Sequence, residues 1–473
     1  MPSIAAPWAI ILCKFSNKPT EPSPPAFYRD MFARNGIGGI CDYWLAVTSN
    51  ALDISGSQVF GWFTMTQDSN VAANADRATR YSWGLDAAAA NGVDLTTFSR
   101  VLVIENDGPD HGAIGIGTGQ VLIVHTGPSR FDIAFVAHEM GHGFGLPHSF
   151  SANPDTEYGD GWDVMSFDTT TFDFPTTFEG ASSLATVGLN ARNLDALQGA
   201  PSSRVFTLSQ PDFSASIKLA PLNQQPIGND GFLFARVLPG ATNPPRSNGS
   251  SFTVEYRQKA GWDQHIPGDA VLIHEIRTTG LSFLLPSLGG SFAQGQTFTT
   301  PDPPVFIKIA NVDTSGQSAS VRIWDLPDNA LRKEDSDPKV YLLQGGKRRW
   351  VTSPAALQAM GKSFSDVLAV PDGALSVLPL GPDIDLEVSV TPFPVPIGHA
   401  VSVVVHADVV GHPVNGRVML HGQIIGPTNS PFTHTFHLEP KVVGSGRHRE
   451  VEWVPPTGTV EANGFAAKEV RFG

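Results

Sequence analysis

The chain has 473 residues, 41% of them hydrophobic and 16% charged, with a formal charge of −14. A prior of about 150 residues per domain suggests roughly three domains, and the composition excludes a disordered or membrane-embedded chain. Acidic residues outnumber basic ones 45 to 31, which repels phosphate backbones and argues against nucleic acid as a partner.

The first apolar run, Ala5 to Cys13, has no basic residues ahead of it and no small-residue cleavage site behind it. It reads as a strand and not as a signal peptide. Cys13 and Cys41 are the only cysteines; one bridge or two buried thiols fit that count equally. After a Pro-rich connector at 18–25, the pattern predicts a helix over 71–90, opened by Asn70 and closed by Gly92. RVLVIEN (100–106) reads as a strand, and Gly-rich GAIGIGTGQ leads into VLIVH (121–125), an expected edge strand beside a cleft.

From about Arg204 the character changes to short alternating segments, SFTVEYRQ, AVLIHEI, VFIKIA and SVRIWDL, punctuated by Gly, Pro and Asn. The expected class is therefore an α/β (α+β) domain over 1–200 followed by all-β sandwich modules, the first over 201–327. Residues 328–382 read as a polar linker (328–339) and a small repeat-like module, and 383–473 as an immunoglobulin-like sandwich. No apolar run is long enough to span a membrane. Lys347, Arg348, Arg349 and Trp350 read either as a solvated basic turn or as a contact for an anionic or sugar surface.

The segment FDIAFVAHEMGHGFGLPHS (131–149) contains H-E-x-x-H-x-x-G-x-x-H without a gap. Ser129 and Asp132 have the form of a capping box, so a helix is expected to begin there and run through His142. His138 and His142, four apart, share one helix face and can reach one ion. Glycine favours the left-handed conformation that ends helices, so Gly145 turns the chain and returns His148 toward them. Three neutral nitrogens at about 2.0–2.1 Å leave a fourth zinc position open for water. Glu139, about 100° round the helix from His138, is the expected general base acting on that water. H-E-x-x-H alone should arise by chance on the order of once in a hundred chains of this length; the added glycine and histidine lower that below about one in ten thousand.

These five positions resemble the long zinc motif of metzincin metallopeptidases. Ser149, after the third histidine, resembles the matrixin form, while WDVM and the β-rich continuation are similar to the gametolysin and immune inhibitor A groups. The resemblance implies one catalytic Zn²⁺ and a Met-turn, for which Met165 in YGDGWDVMS is the candidate, supporting the ligand histidines as an apolar floor. It implies an endopeptidase acting on protein or peptide substrates, bound along 121–125 by strand addition, and an extracellular setting, although no signal peptide is recognisable.

Phe167 stands where astacins and serralysins carry a tyrosine, so no tyrosine ligand is expected. Phe167, Phe172 and Phe174 would either line the pocket after the cut or simply pack. Asp155, Glu157, Asp160 and Asp163 could bind calcium or remain solvated or capping carboxylates, and Asp160 or Asp163 could orient a ligand imidazole. His111 and His125 are left outside the metal site. Two other classes compete: an adhesion or carbohydrate-binding protein working through its β modules, and a zinc hydrolase of another amide such as a peptidoglycan cross-link.

Overall fold

The computed structural model describes residues 4–127, 131–166, 172–223, 230–286, 290–391 and 400–472. The chain forms two compact units, one of Met1–Pro211 with Ala215–Ile323 and one of Asp212–Ser214 with Trp324–Gly473. The class is mixed α/β with strands predominating.

The first unit opens with β1 (Ile4–Ala5), β2 (Ala9–Lys14), α1 (Pro25–Ala33), α2 (Ile40–Val47), β3 (Leu52–Asp53) and β4 (Gln58–Thr64). It continues with α3 (Ser69–Ala72), α4 (Arg77–Ala90), β5 (Val101–Glu105), β6 (Gly112–Ala113), β7 (Gln120–Val124) and α5 (Ile133–Gly143). The helix expected over 71–90 is thus two pieces, because Asp76 caps a new start through Thr79 N. Five strands form one sheet in the order β4-β2-β5-β7-β6. The first four are parallel and only β6 runs antiparallel. The apolar run of β2 is buried on both faces, as a central parallel strand should be.

The expected edge strand is corrected here. Residues 121–124 lie between β5 and β6, and the edge is Gly112–Ala113, from within the Gly-rich stretch. Two residues carry too little alternation to announce a strand.

Beyond α5, β8 (Phe150–Ser151) and β9 (Thr156–Glu157) form a hairpin that joins a seven-stranded sheet. β8 pairs in parallel with Ser282–Leu284, the strand next to Ala270–Ile276, which in turn pairs with Ser251–Arg257. The segment after the third histidine is therefore a strand of the downstream β-rich region. Buried polar groups reinforce the connection. Asp163 Oδ2 accepts from Ser149 Oγ at 2.9 Å and Asn193 Nδ2 at 2.6 Å, and Asp160 Oδ2 meets His274 Nε2 at 3.0 Å. Arg257 donates to Asp263 through Nε and Nη2 at 2.8 and 2.6 Å, and to the Trp162 carbonyl at 2.7 Å. Cys13 and Cys41 are separate buried thiols.

In the second unit, the stretch expected as a linker contains the strand Leu331–Glu334, parallel to Val367–Val370. Its Arg332 is fully buried against Asp325 and Asp212, at 3.0 and 2.6 Å, which accounts for charge where only solvent was expected. Arg349 donates to the Pro382 carbonyl and Gln344 Oε1, so its guanidinium serves the fold. The last part has two four-stranded sheets that share a core including Val403, Val405, Val418, Phe432 and Val460. No helix among the described residues is long and apolar enough to cross a membrane.

Replacing Arg257 by Met would leave Asp263 buried without its cation. A buried pair broken in this way costs about 3–5 kcal/mol. The urea midpoint of R257M should fall correspondingly; a loss below about 1 kcal/mol would show that the pair does not hold the two regions together.

Candidate metal centre

Helix α5 is capped by Asp132, whose side chain accepts from Phe135 N; Ser129 of the expected capping box lies outside the described residues. It ends in a Schellman arrangement. Leu146 N donates to Gly141 O and Gly145 N to His142 O, both at 2.9 Å, with Gly145 at φ +99°. That conformation is disfavoured for a residue with a Cβ, so the glycine of the motif has a mechanical reason. The turn releases the chain toward His148.

His138, His142 and His148 come together, with one candidate ligand atom from each and all three within 4.8 Å of one another. Among the described residues this is the group able to hold a metal ion. Each Nδ1 faces an oxygen acceptor: Val164 O at 2.9 Å for His138, Leu146 O at 2.7 Å for His142, and Glu157 Oε1 at 2.6 Å for His148. A carbonyl can only accept, so Nδ1 of His138 and His142 carries the proton and Nε2 presents a lone pair. Burial lowers the pKa of His138 to about 3 and that of His142 to about 4, so both are neutral imidazoles at neutral pH, the form that can accept a metal ion.

His142 Nε2 and His148 Nε2 are 3.0 Å apart. With both Nδ1 atoms donating and both rings neutral, two lone pairs face each other at that distance, and either a proton shared between the two nitrogens or a bound metal cation would relieve their repulsion. The donor set, three imidazole nitrogens, suits a borderline divalent ion such as zinc. His111 and His125 stand outside it. His111 stacks on Phe135 at 4.2 Å, and His125 Nδ1 bonds Tyr28 Oη at 2.8 Å.

Glu139 is buried beside this cluster. Its Oε2 accepts from Ala113 N, on the edge strand, at 2.5 Å. Burial raises its pKa to about 7, with the Ala113 N–H and then Arg77 pulling the other way. Arg77 braces the same strand through Ala113 O at 2.9 Å and through Asp110. Met165, fully buried, packs against α5, where a Cβ on Gly141 would lie 2.5 Å from its sulfur. Tyr158, at the end of β9, has its hydroxyl 3.0 Å from His148 Nε2. Neither the zinc motif nor the position two residues beyond Met165 points to Tyr158; Phe167 itself lies outside the described residues.

The four acids considered for calcium do not converge. Asp155 pairs with Arg277, Glu157 with His148, and Asp160 and Asp163 enter the buried network. Nor does Asp160 or Asp163 orient a ligand imidazole; the carbonyls of Val164 and Leu146 and the carboxylate of Glu157 do so. Phe172 and Phe174 pack on Trp162 and His265, at 5.2 and 4.4 Å. The cavity beside α5, about 420 Å³, is lined instead by residues including His111, Val124, His125, Phe131 and Phe135.

Removing the Glu157 carboxylate takes away the acceptor that fixes His148. If the three histidines hold a divalent ion, Glu157→Ala should weaken its binding about 10- to 100-fold in a chelator competition with added zinc. Unchanged affinity would contradict the assignment of Glu157.

No family model matches this chain, and no curated protein matches it.

Proposed function

We propose that the chain is a zinc-dependent endopeptidase with a metzincin-like first part, His138, His142 and His148 holding the ion and Glu139 serving as general base. The observation that carries the reading is the convergence of three oriented imidazoles beside one buried carboxylate. When bound, zinc would lower the pKa of water to about 7 and polarise a substrate carbonyl. Everything else falls to the chain.

Because Ala113 N–H holds Oε2, Oε1 is the oxygen of Glu139 that takes a proton from the attacking water. Desolvation makes this carboxylate more basic than one in water, which suits it to accept that proton and hand it to the leaving amine. Met165 closes the floor beneath α5 in the manner of a Met-turn, and its contact at Gly141 keeps the two helical ligands in place.

An extended substrate would add to β6 as a further strand, since β7 is flanked by β5 and β6. The cavity next to Phe135, one helical turn before Glu139, would receive a substrate side chain. An extracellular setting belongs to the same proposal, by resemblance alone. Against a purely adhesive role stands Glu139 itself, because a scaffold needs no buried, tethered base beside three metal ligands.

Glu139→Ala should keep about one zinc per chain yet lose roughly 10²-fold or more of the rate on an unfolded protein substrate. Zinc retention with undiminished cleavage would remove Glu139 from the mechanism. Zinc binding without cleavage by the wild type would remove the peptidase reading.

A further inference from the structure

The second unit carries a β-hairpin for which the metal centre has no use. Its strands, Glu439–Val443 and Glu450–Val454, form a two-stranded sheet of their own. Pro440 lies opposite Trp453, and Val442 opposite Val451. Side chains alternate along a strand, so these four share one face, while Lys441 and Glu452 lie on the other. The apolar face is bare: Val442, Val451 and Trp453 are 59%, 56% and 45% exposed. A two-stranded ribbon is marginally stable in water until its apolar face packs on something, and apolar side chains gathered on one exposed face mark a contact surface.

Charge narrows the choice of partner. The chain as a whole carries −14, yet residues 441–449, KVVGSGRHR, hold three cations and no acid. Lys441, Arg447 and Arg449 are exposed, and none of them forms an ion pair among the described residues. Unneutralised cations beside an apolar face complement an anionic surface.

The size of the face decides between protein and lipid. A stable protein interface takes about 20–30 residues from each partner, and four side chains on a ribbon fall far short of that. A bilayer interface asks for less. It needs an apolar face that enters the headgroup boundary, an aromatic ring at that level, and basic side chains that reach lipid phosphates. The valines and Trp453 supply the first two. Arg447 and Arg449 at the turn supply the third, with stems long enough to follow the apolar surface while the charge stays in the headgroup layer.

We infer that the 439–454 hairpin is a peripheral membrane contact, lying with its Pro440, Val442, Val451 and Trp453 face in an anionic lipid interface. This contact is independent of the metal centre and of any peptidase activity.

The test sediments the full-length protein with vesicles of phosphatidylcholine, alone or mixed with phosphatidylglycerol. Wild type is compared with the double variant Arg447→Glu, Arg449→Glu and with Trp453→Ser, all changes at exposed positions outside the core. The wild type should bind the mixed vesicles, come off them as salt is raised, and leave phosphatidylcholine alone. Each variant should lose about 10-fold or more of that binding. Binding to neither vesicle, equal binding to both, or binding that survives either variant overturns the assignment. A wild type that self-associates in sedimentation velocity while Trp453→Ser is monomeric gives the face to a second copy and overturns it too. So does capture of soluble polyglutamate as tight as that of the mixed vesicles, which would make the hairpin a site for acidic protein.

Discussion

An imidazole presents one lone pair to a metal only when its other nitrogen has somewhere to place a proton, and the centre depends on that requirement. The three acceptors come from three separate devices. Leu146 O is exposed by the Schellman turn that closes α5, Val164 O by the short helical turn containing Met165, and Glu157 by the β8–β9 hairpin. Each sits close to one of the histidines in sequence or is pressed against α5, so the fold itself aims the three imidazoles.

The acceptors must themselves be held, and here the β-rich region of the first unit enters. Asp163 receives the Met165 N–H at 2.9 Å and is satisfied in turn by Ser149 and Asn193, while Asp160 is held by His274 and Asn190. His274 lies on a strand of the seven-stranded sheet, and Arg257, on the adjoining strand, grips the Trp162 carbonyl. Buried polar groups stabilise an arrangement only when nearly all are paired, and they then specify one geometry far more sharply than apolar packing does. The downstream strands thus fix the loop between His148 and Met165. They are part of the scaffold of the centre.

Much of the centre was legible in the sequence because its chemistry is local. His138, Glu139 and His142 are set by helical spacing, and Gly145 by a backbone angle that only glycine adopts easily. The central strands β2, β5 and β7 announced themselves as apolar runs. What was not legible depends on contacts distant in sequence. Nothing in residues 112–113 marks an edge strand, and nothing in Glu157 or Tyr158 says that a hairpin folds both onto His148. Arg332 misled in the opposite direction: a charged stretch reads as solvated until Asp212, far away in sequence, is found to cover it. Polar residues with distant partners are where composition and periodicity fail, because neither encodes a partner.

The most direct test of the account is the coordination shell of zinc added to the purified protein, measured by X-ray absorption at the zinc edge for the wild type and His148→Ala. The account predicts nitrogen or oxygen scatterers at about 2.0–2.1 Å in the wild type, with the outer-shell features of three imidazoles. It predicts the loss of one imidazole in the variant. A wild-type protein that retains no zinc, or whose zinc shows no imidazole scattering, would contradict the claim that His138, His142 and His148 form a metal centre.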